Sequence, residues 1–187
     1  MTALTKEHDK LFWLPVSGMQ KLDNNTFLIG QDGWADGRLG DYQNSRVVLN
    51  DSRMIVDLFQ EKILGKYQLL EKMQQLADVD AVQLQNDLDR AITQDPKTII
   101  VLTHVPPFKE ACMYQGKISD DDWLPYFSSK ATGDVVMQAA QKNPTVEFIV
   151  LCGHTHGEAK YKPLANLIVK AGKAEYYHPE IQETIFV

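Results

Sequence analysis

Two runs of consecutive apolar, largely β-branched residues stand out along the chain. The first is Thr98 to Thr103, ending at His104; the second is Val146 to Cys152, leading into Gly153 and His154. Unbroken β-branched runs predict strands buried on both faces, as in a parallel sheet. A proline-rich loop and a helical pattern near Asp134 to Gln141 separate them, which predicts neighbouring parallel strands joined by a crossover. Upstream, Asp51 to Asp95 has helical periodicity. Asp51 or Ser52 is placed to cap a helix with Met54, Ile55, Leu58 and Phe59 on its apolar side. A second helix over Tyr67 to Gln94 repeats Leu69, Leu70, Met73, Leu76, Val82, Leu84, Leu88 and Ile92, with charges between them. Asp95-Pro96 ends it, because a residue before proline is pushed out of the α region.

Shorter elements flank these. Leu11 to Val16 and Thr26 to Gln31 are apolar runs around the turn residues Lys21 to Asn25, and they predict a strand–turn–strand unit. A polar, glycine-rich loop, Gln31 to Tyr42, follows. Residues 2–9 read as the end of a helix. In the tail, Ala159 to Lys162, Leu167 to Val169 and Thr184 to Phe186 read as short strands between turns. The pattern is that of a single α/β domain over residues 1–187, without repeat, linker or low-complexity segment.

Composition narrows the partners. A net charge of −6 and an acidic pI near 5.3 give no nucleic-acid or anionic-membrane surface signal. No apolar stretch approaches the roughly 18 residues of a membrane span, and the polar start lacks the apolar region of a signal peptide. Cys112 and Cys152 make neither a disulfide framework nor a zinc knuckle, and read as reduced thiols. These features together predict a cytoplasmic protein.

The chemistry gathers where the two buried runs end. Ligands of open α/β sheets bind beyond the carboxyl ends of the strands. His104 and the pair His154/His156 are therefore expected at one edge, although His104 and His154 are fifty residues apart in sequence. Imidazole nitrogen suits zinc, manganese and iron. Pro106 and Pro107 would stiffen the loop leaving His104, or be an ordinary proline-rich loop. Asp32, Asp36 and Arg38 are candidates for lining a substrate cleft, with turn chemistry as the alternative for the aspartates and a surface role for Arg38. Trp34 and Trp123 read as packing residues before substrate platforms. Cys152 reads as a small buried apolar residue, and His8 and His178 as surface residues.

Gly153-His154-Thr155-His156 resembles the last signature of the calcineurin-like metallophosphoesterases, and Thr103-His104-Val105-Pro106-Pro107 the one before it. The loop Asp32 to Arg38 and the segment Leu49-Asn50-Asp51 resemble a bacterial branch of that family. The similarity runs from about Leu11 to the C-terminus. It implies an α/β fold derived from a four-layer αββα sandwich with a mixed sheet. It also implies a site of two divalent ions such as Mn, Fe or Zn, with His104 and His154 on one and His156 on the other. The implied activity is hydrolysis of a phosphoester by a metal-bound hydroxide.

Three earlier signatures of the family have no counterpart. No histidine has Asp two positions before it; neither Gly40-Asp41 nor Gly133-Asp134 has Asp three positions on; and there is no Asn-His pair. The bridging carboxylate and the general acid are therefore not retained, and one metal or none is expected. The chain reads as the C-terminal portion of such a fold, N-terminally incomplete. A truncated gene product, an engineered fragment and one half of a split protein all fit. Lost strands would leave open sheet edges and an uncovered apolar face, covered by self-association or by the missing segment. The alternative to an enzyme is an inactive remnant or interaction protein binding at most one metal through three histidines.

Overall fold

The computed structural model describes residues 5, 7, 8 and 10–186. Most of the expected helix end over residues 2–9 falls outside them. A six-stranded mixed sheet organises the rest. Its strands are β1 (Gln20–Lys21), β2 (Thr26–Gly30), β3 (Thr98–Leu102), β6 (Glu147–Cys152), β7 (Ala159–Leu164) and β8 (Leu167–Ala171), in the order β1-β2-β3-β6-β8-β7. The four central strands are parallel, and the two edge strands run antiparallel to their neighbours. A separate ribbon pairs β4 (Met113–Tyr114) with β5 (Lys117–Ile118).

Register decides what each sheet face buries. Phe27, Ile99, Phe148 and Leu167 lie side by side across β2, β3, β6 and β8, and Ile29, Val101, Val150 and Val169 form the next row. Both rows are buried in one core with Leu84, Leu88, Ala91, Val136, Ala139 and Ala140. Those partners belong to α4 (Lys66–Ile92) and α6 (Lys130–Lys142), which pack against each other on that face. The helix periodicity of 67–94 is thus realised almost to the residue. Ser129 caps α6, its hydroxyl accepting the Thr132 amide at 3.3 Å.

The opposite face carries Leu28, Ile100, Ile149 and Ile168 in register. No second large sheet covers it among the described residues, so the expected α/β class with a mixed sheet is found, while the layered sandwich implied by the family resemblance is not seen there. Partial cover comes from the two ends of the chain. Leu14, in α1 (Leu14–Ser17), reaches Gly30, where an added Cβ would lie 2.9 Å from its methyl group. The C-terminal run crosses near Lys170, which pairs with Glu183 at 2.6 Å. The sheet edges are blunted rather than open. β1 has only two residues, and β7 carries Lys160, Lys162 and Pro163 and an irregular register between Tyr161 and Leu164.

Two expected strands are corrected. Leu11 to Val16 does not form one; Leu14–Ser17 is a helical turn with Pro15 in its first turn. Proline there lacks an amide that would have no partner anyway, so the apolar run closes into helix. Thr184 to Phe186 lies along the chain without strand pairing. The turn at Asp23 holds, its carboxylate accepting the Asn25 and Thr26 amides at 2.7 Å each. Two further helices, α2 (Asp51–Met54) and α3 (Val56–Leu64), precede α4, and α5 (Leu124–Phe127) precedes α6. No described helix is long and apolar enough to cross a membrane.

Candidate functional site

The β3–β6 ladder continues past both strands and places the histidines. The Thr103 amide donates to the Leu151 carbonyl at 3.1 Å, and the Gly153 amide donates to the His104 carbonyl at 2.9 Å. His104 and His154 thereby become neighbours, with ring centroids 4.7 Å apart. The exit loop is held from two sides. The Val105 amide donates to the Gly33 carbonyl, and the Ser129 amide to the Pro106 carbonyl, both at 3.1 Å. Pro106 and Pro107 are buried, and Gly133 of α6 sits so close that an added Cβ would lie 2.3 Å from the Pro107 carbonyl oxygen. The stiff loop expected from the prolines is therefore packed as well as conformationally fixed.

Aromatic rings flank the pair, with His104 exposed and His154 half-buried. Trp34 stacks on His104 at 5.6 Å and 12°, and meets His154 edge-on at 5.5 Å. Phe127 meets His154 edge-on at 5.1 Å, and Trp123 packs on Phe127 at 5.2 Å. Burial is the main cause that pushes the His154 pKa down to about 4, with the His104 charge adding to it; the Asp51 carboxylate and a hydrogen bond to the Tyr126 backbone work the other way. Burial also lowers His104, against the pull of Asp51 and Asp32. His154 Nε2 is buried without a hydrogen-bond partner. An imidazole nitrogen buried without a partner is free to ligate an ion.

The expected site residues divide. His156 packs on Tyr176 of the C-terminal run, with centroids 4.9 Å apart. His154 and His156 both have left-handed backbone, φ 68° and 61°. Asp32 is exposed and accepts the Trp13 indole N–H at 3.2 Å. Asp36 is corrected from cleft residue to structural one, because it is buried with 0% exposure. Its carboxylate accepts the Ala131 amide at 2.8 Å, the Arg38 amide at 3.0 Å and the Arg38 guanidinium at 3.2 Å. Arg38 also pairs with Asp78 at 2.8 Å. Among the described residues, no group of three or more His, Cys, Asp or Glu is drawn together as a metal cage.

Other members were not singled out from the sequence. Asp51 acts on both rings electrostatically, although the sequence marked it only as a helix cap and as part of the Leu49-Asn50-Asp51 segment. Asp80 on α4 accepts the Gly33 amide at 3.0 Å, which fixes the loop that carries Trp34; its pKa is raised by burial. Phe127 and the Tyr126 backbone arrive from α5, with no local sequence signal. Cys152 is half-buried, its thiol near the Lys170 carbonyl, and burial raises its pKa to about 12.

The depressed His154 pKa has a consequence for stability. The unfolded chain takes up this proton first as pH falls. The stability associated with neutral His154 is therefore complete above its ordinary value of 6.5 and lost as pH falls toward about 4. With a chelator present, urea titrations at pH 7 and pH 4.5 are expected to differ by ~2 kcal/mol more in the native sequence than in His154→Gly. Equal pH sensitivity in the two chains would refute the assignment.

No family model and no curated protein matches the chain. A solved structure described as "Structure of PhoD" aligns with 90% of this chain at 15% identity and a TM-score of 0.40. The alignment covers 32% of that structure's own chain, so the present chain corresponds to about a third of its length.

Proposed function

We propose that the chain carries part of a metal-dependent phosphoester hydrolase site, with His104 and His154 on one divalent ion and His156 serving a second. The observation that carries the reading is the meeting of His104 and His154 at the ends of adjacent parallel strands, with His154 Nε2 buried and unbonded. The donor chemistry fits an ion. Both imidazoles have lowered pKa values, so protons compete little with a metal near neutral pH. A bound ion would supply Lewis acidity and an activated water. The chain's own contribution is to orient the two rings, to pack Trp34 and Phe127 against them, and to place the Asp51 and Asp32 charges nearby. The motif resemblance supplies the reaction class.

A second reading is a non-catalytic chain that binds at most one metal. It is favoured by the lack of a three-donor group among the described residues. Hydrolysis of an aryl phosphate and an aryl phosphodiester, with and without added manganese, separates the two when paired with metal stoichiometry. His154→Gly is the variant of choice, since glycine accepts the left-handed backbone that alanine would strain. The hydrolase reading expects metal-stimulated turnover that falls by about two orders of magnitude or more in His154→Gly. Absence of metal-stimulated turnover, with one metal or none per chain, would leave the second reading.

A further inference from the structure

Next to the histidine pair lies a cavity of about 270 Å³, framed by the loop from Tyr42 to Leu49, by α3 and by the first turns of α4. Its interior is apolar: Leu58, Leu69, Met73 and Tyr126 are buried around it, and they pack in a core of their own, apart from that of the sheet. Its rim is cationic. Arg46, Lys62 and Lys66 line it and no carboxylate does, although the chain as a whole is acidic. The two lysines differ in what they already hold. Lys66 donates to the Gln43 and Ser45 carbonyls and lies over the Tyr42 ring. Lys62 donates to the Ser52 hydroxyl at 3.0 Å and has no ion-pair partner among the described salt bridges. Burial and the Arg53 charge both pull its pKa down, as expected of a cation short of counter-charge.

Trp34 joins this cavity to the histidines. The residue lines the cavity while its ring stacks on His104. A molecule seated against Trp34 would have its apolar part among Leu58, Leu69 and Met73 and would lie beside the candidate reaction centre. We propose that the cavity takes the apolar organic group of an anionic substrate, a phosphoester of an aromatic or short-chain alcohol, with Lys62 as its cationic partner. Apolar lining with few placed polar groups is the usual build of a small-molecule site. The volume suits a group of one or two fused rings rather than a nucleotide. The phosphoester part of this statement rests on the proposed function; the pairing of an apolar group with an anion does not.

Calorimetric titration of the full chain, in a chelating buffer that removes metal–phosphate contacts, tests it. The probes are 1-naphthyl phosphate, 1-naphthol and inorganic phosphate. Naphthyl phosphate is expected to bind at least about tenfold more tightly than either fragment. Lys62→Ala should weaken naphthyl phosphate about fivefold or more and leave naphthol unchanged. Leu69→Trp, which fills the cavity, should weaken both aromatic probes. Should that variant fail to fold, the surface change Lys62→Ala alone carries the test. No binding of naphthyl phosphate, or binding indifferent to Lys62→Ala, overturns the proposal. Binding as expected, with no metal-stimulated hydrolysis of the same compound, would sink the hydrolase reading and leave the cavity assignment standing.

Discussion

Asp36→Ala is expected to destabilise the chain by ~3 kcal/mol, among the larger losses a single substitution can produce here. The carboxylate is wholly buried and spends its oxygens on three donors. One of them is the Ala131 amide in the first turn of α6, a group with no partner inside its own helix. Removing the carboxylate leaves that amide and the Arg38 guanidinium without their acceptor, and an unpaired buried donor costs about 1–3 kcal/mol. Arg38 keeps Asp78, which limits the loss. The companion change Asp78→Ala removes the exposed half of the same network, where ion pairs contribute about 0–1 kcal/mol. Urea unfolding of both variants reads the contrast. Equal, small losses would show that Asp36 does not hold the loop to α6.

Gly33→Ala should be nearly as damaging, and its damage should reach the histidines. Gly33 has φ 63°, and an added Cβ would lie 1.8 Å from the Thr103 hydroxyl oxygen. Left-handed backbone costs a residue with a side chain about 1–2 kcal/mol, and overpacking about 1–3 more. Gly33 is also the backbone clamp between Asp80 and Val105. A displaced clamp moves Trp34 off His104, so the variant should show both a lowered melting temperature and a changed tryptophan emission spectrum. A second substitution sharpens the test. The Thr103 hydroxyl is buried without a partner, so Thr103→Ala removes the clash and sacrifices no hydrogen bond. The double variant is expected to recover part of the stability but not the backbone term. No recovery would mean that the clash is not the cause.

Much of the frame could be read from residue order because the signals were local and repeated. The two β-branched runs predict β3 and β6, and their parallel pairing follows from the crossover between them. The periodicity of Leu69 to Ile92 predicts α4. Leu11 to Val16 failed because a short apolar run suits a strand and a helical turn equally, and only the proline position separated them. The site was legible in part. His104 and His154 stand at strand ends, and strand ends meet. His156 follows His154 by two residues, yet its ring is held by Tyr176, a contact that no pattern in the chain announces. Asp36 shows the same limit from the other side. Its principal partner is Ala131, 95 positions away, and two Asp-Gly pairs in succession advertise only turns.

The left-handed backbone at His154 and His156 sets backbone strain against side-chain packing. Glycine would sit there without strain, whereas each histidine holds the loop about 1–2 kcal/mol above its relaxed state. Glycine would relieve that strain only by giving up the ring contacts with Trp34, Phe127 and Tyr176, so the loop keeps its tension for as long as the imidazoles stay packed.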